Sequence, residues 1–204
     1  MKSMIFKLSI FLILGAGWYF TAAAQNSPAG EPAHTGVKKC KMCHNTVKLG
    51  GVEYKQWEKS KHAKTYELLA TDKAKELAAK MGVKDPQNDE KCLKCHITTL
   101  KFTSPEQRAE GVGCERCHGP GSLYNATKTM KDHAASVAAG MRDLKDPDAD
   151  KQTAKIETLC RECHGLEHKD ENPAAKEFNF KEGLSKTMHD EKTLRAEFPE
   201  LFAK

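Results

Sequence analysis

The sequence predicts a mainly helical, loop-rich chain with very little β-structure, and three observations carry that reading. Apolar residues recur at helical spacing, turn residues interrupt them often, and alternating strand patterns are almost absent. The third observation is compositional. Mean hydropathy is −0.65 and 30% of residues are charged, too polar for side chains alone to offset backbone entropy by burial. Such a chain is either disordered or built around apolar material that is not side chain.

Residues 1–24 read as a secretory signal peptide. Lys2 and Lys7 give a basic start, an apolar run extends from about Leu8 to Phe20, and Ala22-Ala23-Ala24 supply the small residues of a cleavage site. An uncleaved membrane anchor is the alternative, because the run is long for a signal. No cysteine follows it to carry a lipid. The expected location is periplasmic or extracellular, after signal cleavage, with membrane contact only through an uncleaved signal or a partner. Loss of Lys2 and Lys7 takes the formal net charge from +5 to +3. That weak basicity, with no arginine-rich or aromatic-interleaved patch, excludes nucleic acid as the partner.

Residues 25–39 are rich in proline and glycine and form an extended lead-in; residues 40–204 form one domain. Within it a helical pattern runs from about Val52 to Ala70, with His62, Tyr66 and Leu69 on one face. Thr71-Asp72 can cap a second helix that runs to Met81 and stops at Gly82. A third spans about Ser122 to Ala139, with Met130, His133, Ala134 and Val137 in one stripe. Asp146-Pro147-Asp148 breaks the chain before the next helix. The polar tail from Pro173 holds a weak helix around Leu184 to Glu197.

The cysteines identify the missing core. All eight fall into four copies of one pattern: Cys40-Lys-Met-Cys43-His44, Cys92-Leu-Lys-Cys95-His96, Cys114-Glu-Arg-Cys117-His118 and Cys160-Arg-Glu-Cys163-His164. C-x-x-C-H is the attachment motif of c-type haem. Two thiols at this spacing add to the two vinyl groups on one porphyrin edge. The next residue is thereby carried under the ring, where its imidazole is the proximal iron ligand. Zinc sites use C-x-x-C pairs but do not require a histidine after each. Four identical short motifs make an odd disulfide framework, and a thioredoxin-like pair would occur once, beside a βαβ pattern. Four covalently bound haem c groups then form the core, and protein made without them should be largely unfolded. The second and third motifs are separated only by Ile97 to Gly113, so their haems are expected to be neighbours.

Five histidines remain for the sixth positions: His34, His62, His133, His168 and His189. His168 lies among Glu167, Lys169 and Asp170 and reads as exposed. His34, in the lead-in, reads as solvated, although a terminal histidine can reach a haem in its own or a neighbouring subunit. His133 sits on an apolar helical stripe, where a core histidine and an iron ligand are both open readings. Met188 and His189 are alternatives for the fourth iron, with His189 preferred because histidine suits a low potential and methionine raises it.

Beyond the C-x-x-C-H motifs, two longer stretches carry a resemblance: W-x-x-S-x-H-A at Trp57, Ser60, His62 and Ala63, and G-V-x-C-x-x-C-H-G-P-G from Gly111 to Gly121. Together they make the chain similar to the cytochrome c-554 family of tetrahaem proteins. The resemblance implies three bis-histidine haems and a five-coordinate second one. It implies His62 as the distal ligand opposite His118, His133 opposite His44 and His189 opposite His164, with the second haem, at His96, open. Electron transport between exported redox proteins is the expected function, in anaerobic or nitrogen-cycle respiration, by a carrier rather than an enzyme. Reduction of nitric oxide, nitrite or a similar molecule at the open haem is the catalytic alternative. A homo-oligomer or an extracellular haem filament is the structural one. The lysines Lys38, Lys39, Lys41, Lys59, Lys61 and Lys64 suit an acidic docking face, or solvation alone.

Overall fold

Short helices separated by turns make up the chain, in a computed structural model that describes residues 30–165 and 177–203. The signal segment 1–24 and His168 lie outside the described residues. In chain order the helices are α1 (Val37–Lys41), α2 (Glu53–Lys59), a 3-10 turn (His62–Lys64), α3 (Thr65–Leu68), α4 (Asp72–Lys80), α5 (Glu90–His96) and α6 (Pro105–Arg108). They continue as α7 (Cys114–His118), α8 (Thr127–Met130), α9 (His133–Ala138), α10 (Ala149–Cys160), α11 (Phe180–Thr187), α12 (Glu191–Glu197) and α13 (Pro199–Phe202). Among the described residues there is no strand beyond an isolated bridge between Thr46 and Gly51. The mainly helical, loop-rich expectation holds.

Capping side chains explain most of the boundaries. Thr71 accepts from Ala74 N–H at the start of α4, and the helix ends before Gly82 at φ +70, as its spacing predicts. Asp148 accepts from the N–H groups of Asp150 and Lys151 and opens α10. Three stretches that hydrophobic spacing alone reads as continuous are broken, the last two by the same capping chemistry. Ser60 turns extended after α2, so 52–70 becomes a helix, a 3-10 turn and a single helical turn. Asp132 caps Ala135 N–H and divides 122–139 into α8 and α9. Asp190 caps Thr193 N–H and separates α11 from α12. An acceptor side chain that binds a backbone N–H starts a new helix, whatever the apolar period continues. The Met130/Val137 stripe is not a core face, since Met130 and Ala134 are exposed and the buried residue of α9 is Ser136.

Side-chain cores are small, as the composition requires. One joins Leu69, Ala78, Val83, Cys92, Leu93 and Ile97, and packs α4 against α5. The other joins Val52 to Leu194 and Phe198, fixing α12 against the start of α2. Among the described residues no helix is long and apolar enough to cross a membrane.

Candidate haem-binding sites

Each C-x-x-C-H motif begins in or at the end of a helix, and the helical turn sets the spacing of its three side chains. In the first and fourth motifs the histidine N–H bonds the carbonyl of the first cysteine, His44 to Cys40 at 2.9 Å and His164 to Cys160 at 2.9 Å. The second lies within α5 and the third spans α7. One helical turn thus presents two thiols and an imidazole together. None of the eight cysteines is in a disulfide.

The motifs converge on the third. Cys114 and Cys40 are in hydrogen-bond contact, which joins it to the first motif. Gly113 N–H donates to Thr98 Oγ1 at 2.8 Å, and Thr98 Oγ1 donates to Gly111 O at 3.1 Å, joining it to the residues after the second. Arg116 reaches Cys163 Sγ at 3.4 Å and Glu162 at 3.1 Å in the fourth. Cys95 and Cys163 also meet, and their hydrogen bond lowers Cys163 to about 6 while raising Cys95. The second and third motifs are adjacent, as their short separation predicts, but the third also touches the other two.

Glu115, between the two cysteines of the third motif, is buried. Its carboxylate accepts from the backbone N–H groups of Thr35 (2.9 Å), Gly36 (2.8 Å) and Gly121 (2.6 Å) and from Thr35 Oγ1 at 3.2 Å. Every partner is a donor, which is what a buried carboxylate needs. It straps the lead-in onto the third motif and closes the G-P-G turn. An acid inside a C-x-x-C-H that is followed by glycines was the signal for it.

Histidine geometry depends on what holds Nδ1. His96 Nδ1–H donates to Thr65 O at 2.9 Å, His189 Nδ1–H donates to Thr187 O at 2.9 Å, and His44 Nδ1 pairs with Glu53 Oε2 at 3.1 Å. In each case Nε2 is the nitrogen left for a metal. The Glu53 hydrogen bond raises the pKa of His44. Burial lowers His62, with His164 adding to it, and burial beside His189 lowers His118 to about 4. Those two imidazoles are neutral at physiological pH and keep a lone pair for coordination.

Two imidazole pairs stand out. The rings of His62 and His164 lie 6.0 Å apart, and those of His118 and His189 lie 5.8 Å apart. Two nitrogens each about 2 Å from one metal ion, plus about 1 Å more to each ring centre, place centroids about 6 Å apart. The residues therefore fit an iron held between two histidines. The pairing is the reverse of the one the resemblance implied: His62 faces His164 rather than His118, and His189 faces His118 rather than His164. His133 is not brought to His44; its Nε2 lies 3.4 Å from Asp143. His34 packs edge-on against Phe102 at 6.1 Å, and its Nδ1 is buried with no hydrogen-bond partner. Among the described residues no group of three or more His, Cys, Asp or Glu side chains converges as a zinc site requires.

The two signature stretches prove to be one structure. Trp57 Nε1 donates to Val112 O at 2.9 Å, and Val112 N–H donates to His62 O at 2.9 Å. Gly111 has φ +65, and a Cβ there would sit 2.5 Å from His62 O, so only glycine permits this approach. Thr65 completes the frame, its Oγ1 lying 2.9 Å from both His62 O and His96 O.

Comparison with known proteins points to the same class of protein as the C-x-x-C-H motifs do. Residues 39–119, which span the first three motifs, match the model of the family described as cytochrome c554 and c-prime. Cytochrome c-554 of Nitrosomonas europaea is 29% identical over 167 residues, covering 78% of this chain and 68% of that protein. The chain is thus similar to cytochrome c-554 over most of its length. No solved structure matches it. The similarity points to a c-type cytochrome, a class with covalently bound haem c and an electron-transfer role.

Proposed function

We propose that the chain is an exported tetrahaem c-type cytochrome that passes single electrons between other exported redox proteins in anaerobic or nitrogen-cycle respiration. The observation that carries the reading is the coincidence of four C-x-x-C-H turns with two imidazole pairs at iron-bridging separation. Haem c, once attached, supplies a one-electron ferric–ferrous couple. The residues divide the work of holding it. Cys40 and Cys43, Cys92 and Cys95, Cys114 and Cys117, and Cys160 and Cys163 each fix one porphyrin edge. His44, His96, His118 and His164 supply the proximal nitrogen.

In this reading His62 completes the iron at His164, and His189 completes the iron at His118. For His44 the resemblance would give His133 as the distal ligand, although the structure sets its Nε2 3.4 Å from Asp143. His96 keeps the open face that the resemblance implies. Histidine on both sides changes geometry little between oxidation states and favours a low potential, which suits a relay.

The test is a haem count and a spin-state census on exported, intact protein. Mass spectrometry should show four haems, and electron paramagnetic resonance of the oxidised protein should show three low-spin centres and one high-spin centre that responds to nitric oxide. Fewer than four haems would overturn the assignment. Four low-spin centres would close the second haem and turn attention to His34.

A further inference from the structure

His44 and His96 hold the same place in their motifs but are braced differently. His96 Nδ1–H donates to a neutral carbonyl, Thr65 O at 2.9 Å. His44 Nδ1–H faces a carboxylate oxygen, Glu53 Oε2 at 3.1 Å, with both side chains less than a third exposed. Either acceptor fixes the ring and leaves Nε2 for iron, but they differ in charge. A carboxylate draws the Nδ1 proton toward itself, makes the imidazole more imidazolate-like, and strengthens its donation to the metal. Stronger donation favours the ferric state and lowers the potential.

The local fold holds this contact in place. Glu53 is the first residue of α2, and the next residue, Tyr54, donates its N–H to His44 O at 2.9 Å. One helix start therefore grips both the backbone and the ring of His44. The loop from Thr46 folds back through a bridge to Gly51. At Gly51, φ is +126 and a Cβ would collide with the Glu53 carboxylate, so a side chain there would displace it.

We propose that Glu53 is a positioning residue for the first haem, acting through His44 to hold that haem at a lower potential than a carbonyl-braced histidine would. The inference rests on the reading of the first motif as a haem site. Its redox step is the simple one: one electron reduces ferric to ferrous iron, and the Nδ1 proton stays shared between His44 and Glu53.

Spectroelectrochemical titration of the intact holoprotein, alongside a haem count by mass spectrometry, separates the two ideas. Glu53→Gln should keep four haems and move one of the four one-electron waves upward, by about a tenfold change in that reduction equilibrium, or about 59 mV. Gly51→Ala keeps the negative charge but displaces it from His44, and should move the same wave in the same direction. Glu58→Gln, on the same helix and bonded to Tyr54, should move none. A set of potentials unchanged by both Glu53→Gln and Gly51→Ala, or a uniform shift of all four, would overturn the proposal. A wild-type protein that carries no haem at Cys40 and Cys43 would instead overturn the reading beneath it.

Discussion

The turns that carry His62 and His189 present the same side chain but are framed in different ways. His62 sits in a 3-10 turn locked from several directions. Its carbonyl takes Val112 N–H and the Thr65 hydroxyl, Trp57 clamps Val112 from the other side, and Gly111 allows the backbones to touch. His189 is exposed, in a break between two helices. Its long-range tether is Gln56, whose amide donates to Met188 O at 2.7 Å, together with the packing of Leu194 and Phe198 on Val52. On the proposed reading, a ligand can be placed by a rigid frame or by a tether that a metal bond would complete. The first kind leaves a sequence signature and the second does not.

The comparison can be tested by removing its parts. The largest effect is loss of the haems: protein made without haem attachment should lack a cooperative melt, because the side-chain cores are too small to replace them, and circular dichroism against temperature reads this. Next is Gly111→Val, which combines positive φ with a close backbone contact and should cost about 3 kcal/mol in chemical denaturation. It should also disturb the haem at His164. Glu115→Gln leaves buried donors with a weaker acceptor and should cost about 2 kcal/mol, loosening the lead-in from the third motif. His62→Met should raise the potential of one haem only, the one at His164, and leave the His118 centre unshifted. The mildest is Gln56→Ala, at about 1 kcal/mol. It should broaden the low-spin signal of the His118 centre without touching that of His164. If Gln56→Ala disturbs both centres equally, the two turns do not differ as described.

What the sequence carries and what it does not follows the same division. The C-x-x-C-H spacing needs one helical turn, so it is local and readable; so is the cap at Thr71. The Trp57–His62 and Gly111–Gly121 stretches are readable as signatures, although only their contact shows that they brace one another. The identity of the imidazole opposite His62 is not local. It depends on how a turn near residue 62 meets one near residue 164, about a hundred positions away, and the family resemblance implied His118 instead. The split of 122–139 at Asp132 failed for another reason, because a capping acid and a solvated acid look alike until the N–H it binds is known. Glu53 left no signal at all, since its partner is chosen by the Thr46–Gly51 turn.

The third motif also bears on how the molecule handles more than one electron. It touches the first through Cys40, the residues after the second through Thr98, and the fourth through Cys163 and Glu162. With the direct contact of Cys95 and Cys163 between the second and fourth, the four attachment points form a closed mesh rather than a wire with two ends. On the proposed tetrahaem reading, electrons delivered in succession would have more than one route through the chain.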